Sequence, residues 1–207
     1  MASTACDADR LNPALRWVDG LGEALLRLST AAATMTHDDH QILEKLLETC
    51  LLGLFKVYGI EMERVISSDD VPCPSLAGIV GFSGERMRGT MLLAAPTQTL
   101  QACSCHGGRL IDPDDWVGEL TNQLMGRVKN AGYELGLEFA MSTPVAVRGV
   151  ALQFRSPDVG DVWQLFFACE HGLTRLRLSA EMLQGFSLGR SDGAARQSAA
   201  EGEVLLF

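Results

Sequence analysis

Two polar residues one helical turn apart, Glu119 and Asn122, are the candidates in this sequence for chemistry on a partner. In a helix of about 100° per residue they share one narrow stripe with Asp115 and Gly126. A glycine inside a helix costs roughly 0.5–1 kcal/mol relative to alanine, so Gly118 and Gly126 require an explanation. One explanation is close approach, because the absence of side chains on either side lets another surface descend onto Glu119 and Asn122. The opposite stripe is an ordinary core face made of Val117, Leu120, Leu124 and Val128.

The same pair also fits a simpler interpretation. An exposed acid and an amide one turn apart are more often part of a solvated helix face than of an active site. Asp115 either caps the start of the helix or orients the other two residues, and the structural role is favoured. Residue chemistry alone therefore leaves both interpretations open.

The surrounding sequence resembles the CheC/CheX/FliY family of chemotaxis phosphatases. The family pattern is Asp or Ser, then Glu four residues on, then Asn three residues on, with a proline about twenty residues later. Asp115, Glu119, Asn122 and Pro144 match this pattern. The segment ELTNQLMG is similar to the CheX form, including Gly126 four residues after the asparagine. The order of elements between residues 38 and 180 also resembles a CheX domain.

The resemblance implies a specific reaction. In this family the asparagine, here Asn122, enters the active site of a partner and orients water for in-line attack on an aspartyl phosphate. The glutamate, here Glu119, pairs with a lysine of the partner. The implied partner is a phosphorylated CheY-like receiver domain, which supplies the Mg²⁺, so no cofactor or metal is expected to be bound by this chain. The resemblance also implies a homodimer.

Two long helices are predicted to carry and support this pair. The first spans residues 38 to 58 and ends at Gly59, and the second begins at Pro113 and runs to about Ala131. Two-site relatives carry a second Glu/Asn motif on the first helix. Here Leu47 and Leu51 follow Glu44 and Glu48 by three residues, so a second site of that type is not expected, and CheX is favoured over CheC.

The remaining elements predict an α+β, CheX-like fold. Its sheet is largely antiparallel, the two long helices pack on one face, and the two halves are similar. Strands are predicted at 60–66, 76–82, 87–95, 145–154, 163–170 and 174–179, a short helix at 97–105, and a last helical turn at 181–186. The domain boundaries that follow are an N-terminal helical extension at 1–37, a CheX-like phosphatase domain at 38–186 and a flexible tail at 187–207.

Composition narrows the function classes further. The net charge of −9 argues against nucleic-acid binding and against an anionic membrane surface, both of which require a cationic stripe. No apolar run is long enough to span a bilayer. The six cysteines are scattered rather than arranged as a disulfide framework, which predicts a cytoplasmic protein with reduced thiols.

Other candidate sites are weaker. The run from Cys103 to His106 contains soft ligands without a second cluster to complete a zinc site. His37 and His40 are expected to belong to a solvated helix start, and the glycines at 78, 81 and 84 do not have the spacing of a nucleotide loop. Two functions besides the phosphatase stay open. One is a non-catalytic binding or adaptor module in a signalling or flagellar-switch complex. The other is a dimeric scaffold on whose surface Glu119 and Asn122 have no functional role.

Overall fold

Most of the residues that the structure describes fall within the predicted phosphatase domain, 38–186. The computed structural model describes residues 35–66, 74–105, 112–150, 152, 154, 160–182 and 188. The predicted N-terminal helix, residues 183–186 and all of the predicted tail except Leu188 lie outside these ranges. Leu188 is buried, and its N–H donates to the carboxylate of the buried Asp39 at 2.9 Å.

The described residues form three helices and seven strands. The helices are α1 (His37–Val57), α2 (Thr97–Cys105) and α3 (Pro113–Tyr133). The strands are β1 (Glu63–Val65), β2 (Leu76–Ser83), β3 (Met87–Ala94), β4 (Ala140–Met141), β5 (Val145–Arg148), β6 (Asp161–Cys169) and β7 (Gly172–Met182). None of the helices in this part of the chain is long and apolar enough to cross a membrane.

The strands make one sheet whose order has an internal symmetry. The order is β1-β6-β7-β3-β2, with β5 and β4 both paired to the outer side of β2. Each of these strand pairs is antiparallel. Exchanging α1-β1-β2-β3 with α3-β5-β6-β7 reproduces the same order read from the other edge. The α+β class and the two similar halves are therefore as predicted.

The two long helices cover one face of this sheet. Alternate residues of β2, β3, β6 and β7 point to that face, because side chains alternate across a strand, and they join the apolar residues of α1 and α3 in one cluster. Completely buried members include Leu47, Leu51, Leu93, Leu120, Phe167 and Leu178. Burying each such side chain stabilises the fold by about 1.5–3 kcal/mol, so the position of α3 on the sheet is fixed by its core stripe.

Strand pairing explains two of the predicted boundaries that are wrong. The strand predicted at 145–154 stops at Arg148, because Arg148 lies opposite Leu76, the first residue of β2, and β2 offers no further residue to pair with. The helical turn predicted from 181 is also wrong at its start. Glu181 and Met182 instead continue β7, opposite Arg88 and Met87 of β3.

Gly78 determines how closely α3 approaches the sheet. A Cβ atom at this position would lie 2.1 Å from Thr121 Oγ1 and 2.6 Å from the Val117 carbonyl oxygen. Because the second of these atoms belongs to the backbone of α3, a side chain at 78 can be fitted only by moving the helix.

We expect Gly78→Ala to lower the free energy of unfolding by about 1–3 kcal/mol, the usual cost of overpacking a core. Urea denaturation measures this change in the free energy of unfolding. The control is Gly53→Ala in α1, where a Cβ would come no nearer than 3.8 Å to Arg127 and stability should be kept or slightly raised. A Gly78→Ala protein as stable as the wild type would contradict this packing.

Candidate functional site

The structure places the two sequence-predicted site residues on the outer face of α3. Glu119 and Asn122 are both exposed, whereas Leu120 and Leu124 on the opposite side are completely buried. The helical periodicity of the sequence therefore separates the two faces as predicted. Within the described residues, the Asn122 amide makes no hydrogen bond, so both its donors and its acceptor are available to a visiting molecule.

The glycines beside the pair leave an open surface. A Cβ atom at Gly118 or Gly126 would meet no atom within 4 Å. By contrast, Gly132 on the same helix is explained by packing, since a Cβ there would lie 2.8 Å from the Leu137 side chain. No contact within the described residues therefore accounts for Gly118 and Gly126. We call the surface formed by Gly118, Glu119, Asn122 and Gly126 the motif ridge.

A hydrogen-bonded pair of side chains holds Glu119 from one side. Gln123 Nε2 donates to Glu119 Oε1 at 2.8 Å, and the Tyr58 hydroxyl donates to Gln123 Oε1 at 2.7 Å. Sequence reasoning missed both residues. The spacing of four residues between Glu119 and Gln123 is a signal that identifies Gln123, but Tyr58 is distant in sequence and leaves no local signal.

Asp115 is not the residue that caps α3. The cap is Asp112, whose carboxylate accepts from the backbone N–H of Asp114 at 3.0 Å, and Pro113 occupies the first turn. The capping role expected for Asp115 is therefore wrong, because a proline at the first helical position puts the cap immediately before it. Asp115 itself is exposed in the first turn, where the helix dipole stabilises a negative charge.

The start of α3 is also tied to the edge of the sheet. Arg148, the last residue of β5, donates from Nη2 and Nε to the two carboxylate oxygens of Asp114, with a shortest distance of 2.6 Å. This carboxylate raises the pKa of the Arg148 guanidinium, mainly through the hydrogen bonds. Pro144 directly precedes β5; a proline outside the strand removes no ladder hydrogen bond.

Residues 76–168 match the family model described as the chemotaxis phosphatase CheX. Over these residues the chain is similar to the CheX family. The matched residues include all of α3 and therefore the whole motif ridge. No curated protein matches the sequence.

Solved structures of similar fold include CheX from Vibrio vulnificus, with 23% identity, a TM-score of 0.59, and coverage of 66% of this chain and 97% of that one. A CheC-like superfamily protein from a Shewanella species has 22% identity and a TM-score of 0.60, covering 71% and 99% of the two chains. A third is a CheX-CheY-BeF3-Mg complex from Borrelia burgdorferi, with 16% identity, a TM-score of 0.51, and coverage of 70% and 99%. At these identities the likenesses establish the CheX-like fold.

In the internal symmetry of the sheet, α1 occupies the position that corresponds to α3, where a second site would lie. The positions that would supply its amide, Leu47 and Leu51, are completely buried in the core. The two glutamates of this helix are engaged elsewhere: Glu44 and Glu48 both accept hydrogen bonds from the guanidinium of Arg64 on β1. This contact raises the pKa of Arg64, mainly through its hydrogen bond to Glu44.

The histidines at the start of α1 have structural contacts. His40 stacks on Trp163 of β6 with ring centroids 4.6 Å apart, and Trp163 Nε1 donates to the His40 carbonyl at 3.1 Å. His37 contacts Gln41 at 2.8 Å, and the helix itself is capped by Thr36. The contact between His40 and Trp163 fixes the start of α1 against the sheet.

Cys50, Cys103 and Cys169 are free thiols. Burial raises the pKa of the Cys103 thiol to about 12 and that of the Cys50 thiol to about 11, so both stay protonated near neutral pH. In the ranges that the structure covers, no group of three or more His, Cys, Asp and Glu side chains is placed to hold a metal ion. His106 lies outside the described residues, and the zinc interpretation of the Cys103 run gains no support.

Proposed function

We propose that this protein is a phosphatase that removes the aspartyl phosphate from a CheY-like receiver domain. The observation that carries the proposal is the motif ridge, where a free amide and a carboxylate project together between two glycines on the outer face of α3. The match to the CheX family model supports it. The Borrelia burgdorferi structure adds support, because it holds a CheX together with a CheY, BeF3 and Mg²⁺.

The proposed role of Asn122 is to position the attacking water. Phosphoryl transfer requires mostly alignment of the nucleophile and stabilisation of charge on the phosphoryl oxygens. The amide of Asn122 offers one oxygen that accepts from water and two N–H donors, and it carries no charge that would repel those oxygens. In this proposal the receiver supplies the aspartyl phosphate and the Mg²⁺ that neutralises phosphoryl charge, so this chain contributes the amide alone to the reacting group.

The proposed role of Glu119 is to bind the lysine of the receiver. One of its carboxylate oxygens accepts from Gln123, which leaves the other oxygen for an ammonium group. Such a charge-assisted hydrogen bond contributes about 1.5–3 kcal/mol. Glu119 would thus orient the receiver so that its phosphate meets Asn122, three residues further along the helix.

We expect Glu119→Ala to weaken binding of a receiver by about tenfold to 100-fold, as the loss of a hydrogen bond to a charged group implies. Titration with a receiver carrying beryllofluoride and Mg²⁺ measures the dissociation constant. Glu134→Ala serves as the control, because Glu134 is an exposed glutamate that caps the far end of α3. Equal binding by the Glu119→Ala and wild-type proteins would contradict the lysine pairing.

The adaptor alternative makes a different prediction in the same system. An adaptor binds the phosphorylated receiver without shortening the lifetime of its phosphate, whereas a phosphatase accelerates the decay. A time course of receiver dephosphorylation therefore separates the two functions. The homodimer implied by the family resemblance stays a prediction, which light scattering on the purified protein tests.

A further inference from the structure

The side chains of Tyr58, Gln123 and Glu119 form a continuous line of hydrogen bonds that ends at the motif ridge. Tyr58 is the C-cap residue of α1, Gln123 and Glu119 are one turn apart on α3, and the two hydrogen bonds measure 2.7 and 2.8 Å. Tyr58 and Gln123 are 65 residues apart in sequence. The line therefore joins the two long helices at the level of the motif.

The direction of these hydrogen bonds is determined by the groups themselves. A carboxylate can only accept, so the Gln123 amide must turn its NH₂ toward Glu119 and its oxygen toward Tyr58. The Tyr58 hydroxyl then donates to that oxygen. Reversing the amide would place its oxygen against the carboxylate, so the line has a single favourable arrangement.

The far end of the line is itself held in place. The Tyr58 ring is half-buried and meets the Trp116 ring edge-on, with centroids 5.4 Å apart and an interplanar angle of 83°. Trp116 is buried in the core cluster. The aromatic contact holds the Tyr58 hydroxyl in place. The hydroxyl in turn orients the Gln123 amide, and this amide restricts the rotamers of the exposed Glu119 side chain.

We propose that Gln123 and Tyr58 are positioning residues that orient Glu119 for the receiver before it arrives. This inference rests on the proposed phosphatase function. A free glutamate has many rotamers and loses them on binding, whereas Glu119 is held by one oxygen and presents the other. Immobilising a side chain in advance lowers the entropic cost of association.

The test is steady-state kinetics of receiver dephosphorylation with Gln123→Met and Tyr58→Phe. Methionine keeps nearly the length of glutamine without its hydrogen bonds, and phenylalanine removes the Tyr58 hydroxyl alone. We expect both variants to raise KM by about twofold to tenfold, the range for ordering one long side chain on binding. The kcat should stay close to that of the wild type, because Asn122 is unaltered. The control is Gln41→Met, an exposed glutamine on α1 that contacts His37.

A double-mutant cycle shows whether the effect passes through Glu119. In a Glu119→Ala background, Gln123→Met should change KM no further, because the group that it positions is gone. A purely structural role would give the same fold-change in both backgrounds. Thermal unfolding of each variant identifies any that lose the fold, and Tyr58→Phe is the most conservative of them.

The possible outcomes separate this inference from the function on which it rests. If the wild-type protein does not accelerate decay of any receiver phosphate, the proposed function fails. If the wild type is active and both Gln123→Met and Tyr58→Phe retain its KM, the positioning role is wrong and the phosphatase stands. Additive effects of Gln123→Met and Glu119→Ala would equally overturn it.

Discussion

Replacing Asn122 with alanine is expected to slow the protein-dependent dephosphorylation of a receiver by about 100-fold, the usual loss when a group that aligns or stabilises the reaction is removed. Alanine leaves the attacking water without a partner on the motif ridge. Binding should change little, because Glu119 remains. Single-turnover decay of a phosphorylated receiver at saturating protein concentration measures the rate without interference from binding.

The structure offers a matched control for this substitution. Asn130 is a second exposed asparagine on α3, two turns beyond Asn122, and Asn130→Ala should keep the wild-type rate. Asn122→Asp should be at least as slow as Asn122→Ala, since a carboxylate repels the phosphoryl oxygens. An Asn122→Ala protein that keeps the wild-type rate would show that the amide does not act on the phosphate.

The second large effect is expected at Gly126. Because a Cβ atom here has no atom of the described structure within 4 Å, Gly126→Met should raise the free energy of unfolding by about 0.5–1 kcal/mol through better helix propensity. The same side chain would occupy the space that a docked receiver needs. Displacing reacting groups by about 1 Å costs on the order of 100-fold in rate, so kcat/KM should fall by about that factor.

Opposite changes in stability and activity distinguish this prediction from ordinary damage to the fold. Urea denaturation gives the first quantity and receiver dephosphorylation gives the second. Ala131→Met is the control, because Ala131 is an exposed position of α3 outside the motif ridge. A Gly126→Met protein with wild-type activity would mean that no partner surface approaches the ridge closely.

The sequence predicted the parts of the site that depend on local periodicity. The spacing of Leu120, Leu124 and Val128 orients α3, and this orientation alone exposes Glu119 and Asn122. The strand and turn pattern also predicted the α+β class and the similarity of the two halves. These predictions were correct because a short stretch of residues is enough to show the helical or strand period.

The parts that were missed depend on contacts between distant segments. The end of β5 is set by where β2 begins, at the pairing of Arg148 with Leu76. The Tyr58–Gln123 hydrogen bond joins two helices whose packing no local pattern specifies. The cap at Asp112 is the exception, because it directly precedes a proline at the start of the helix and was therefore available from the sequence.

The measurement that tests the central claim most directly is multiple-turnover dephosphorylation of CheY-like receivers by a small amount of the wild-type protein. A panel of receivers, each phosphorylated by a small-molecule phosphodonor in the presence of Mg²⁺, is mixed with protein at one-hundredth of the receiver concentration. The proposed function predicts that at least one receiver loses its phosphate faster than its intrinsic decay, with many receivers processed per chain. Intrinsic decay throughout the panel, even for a receiver that binds the protein, would contradict it.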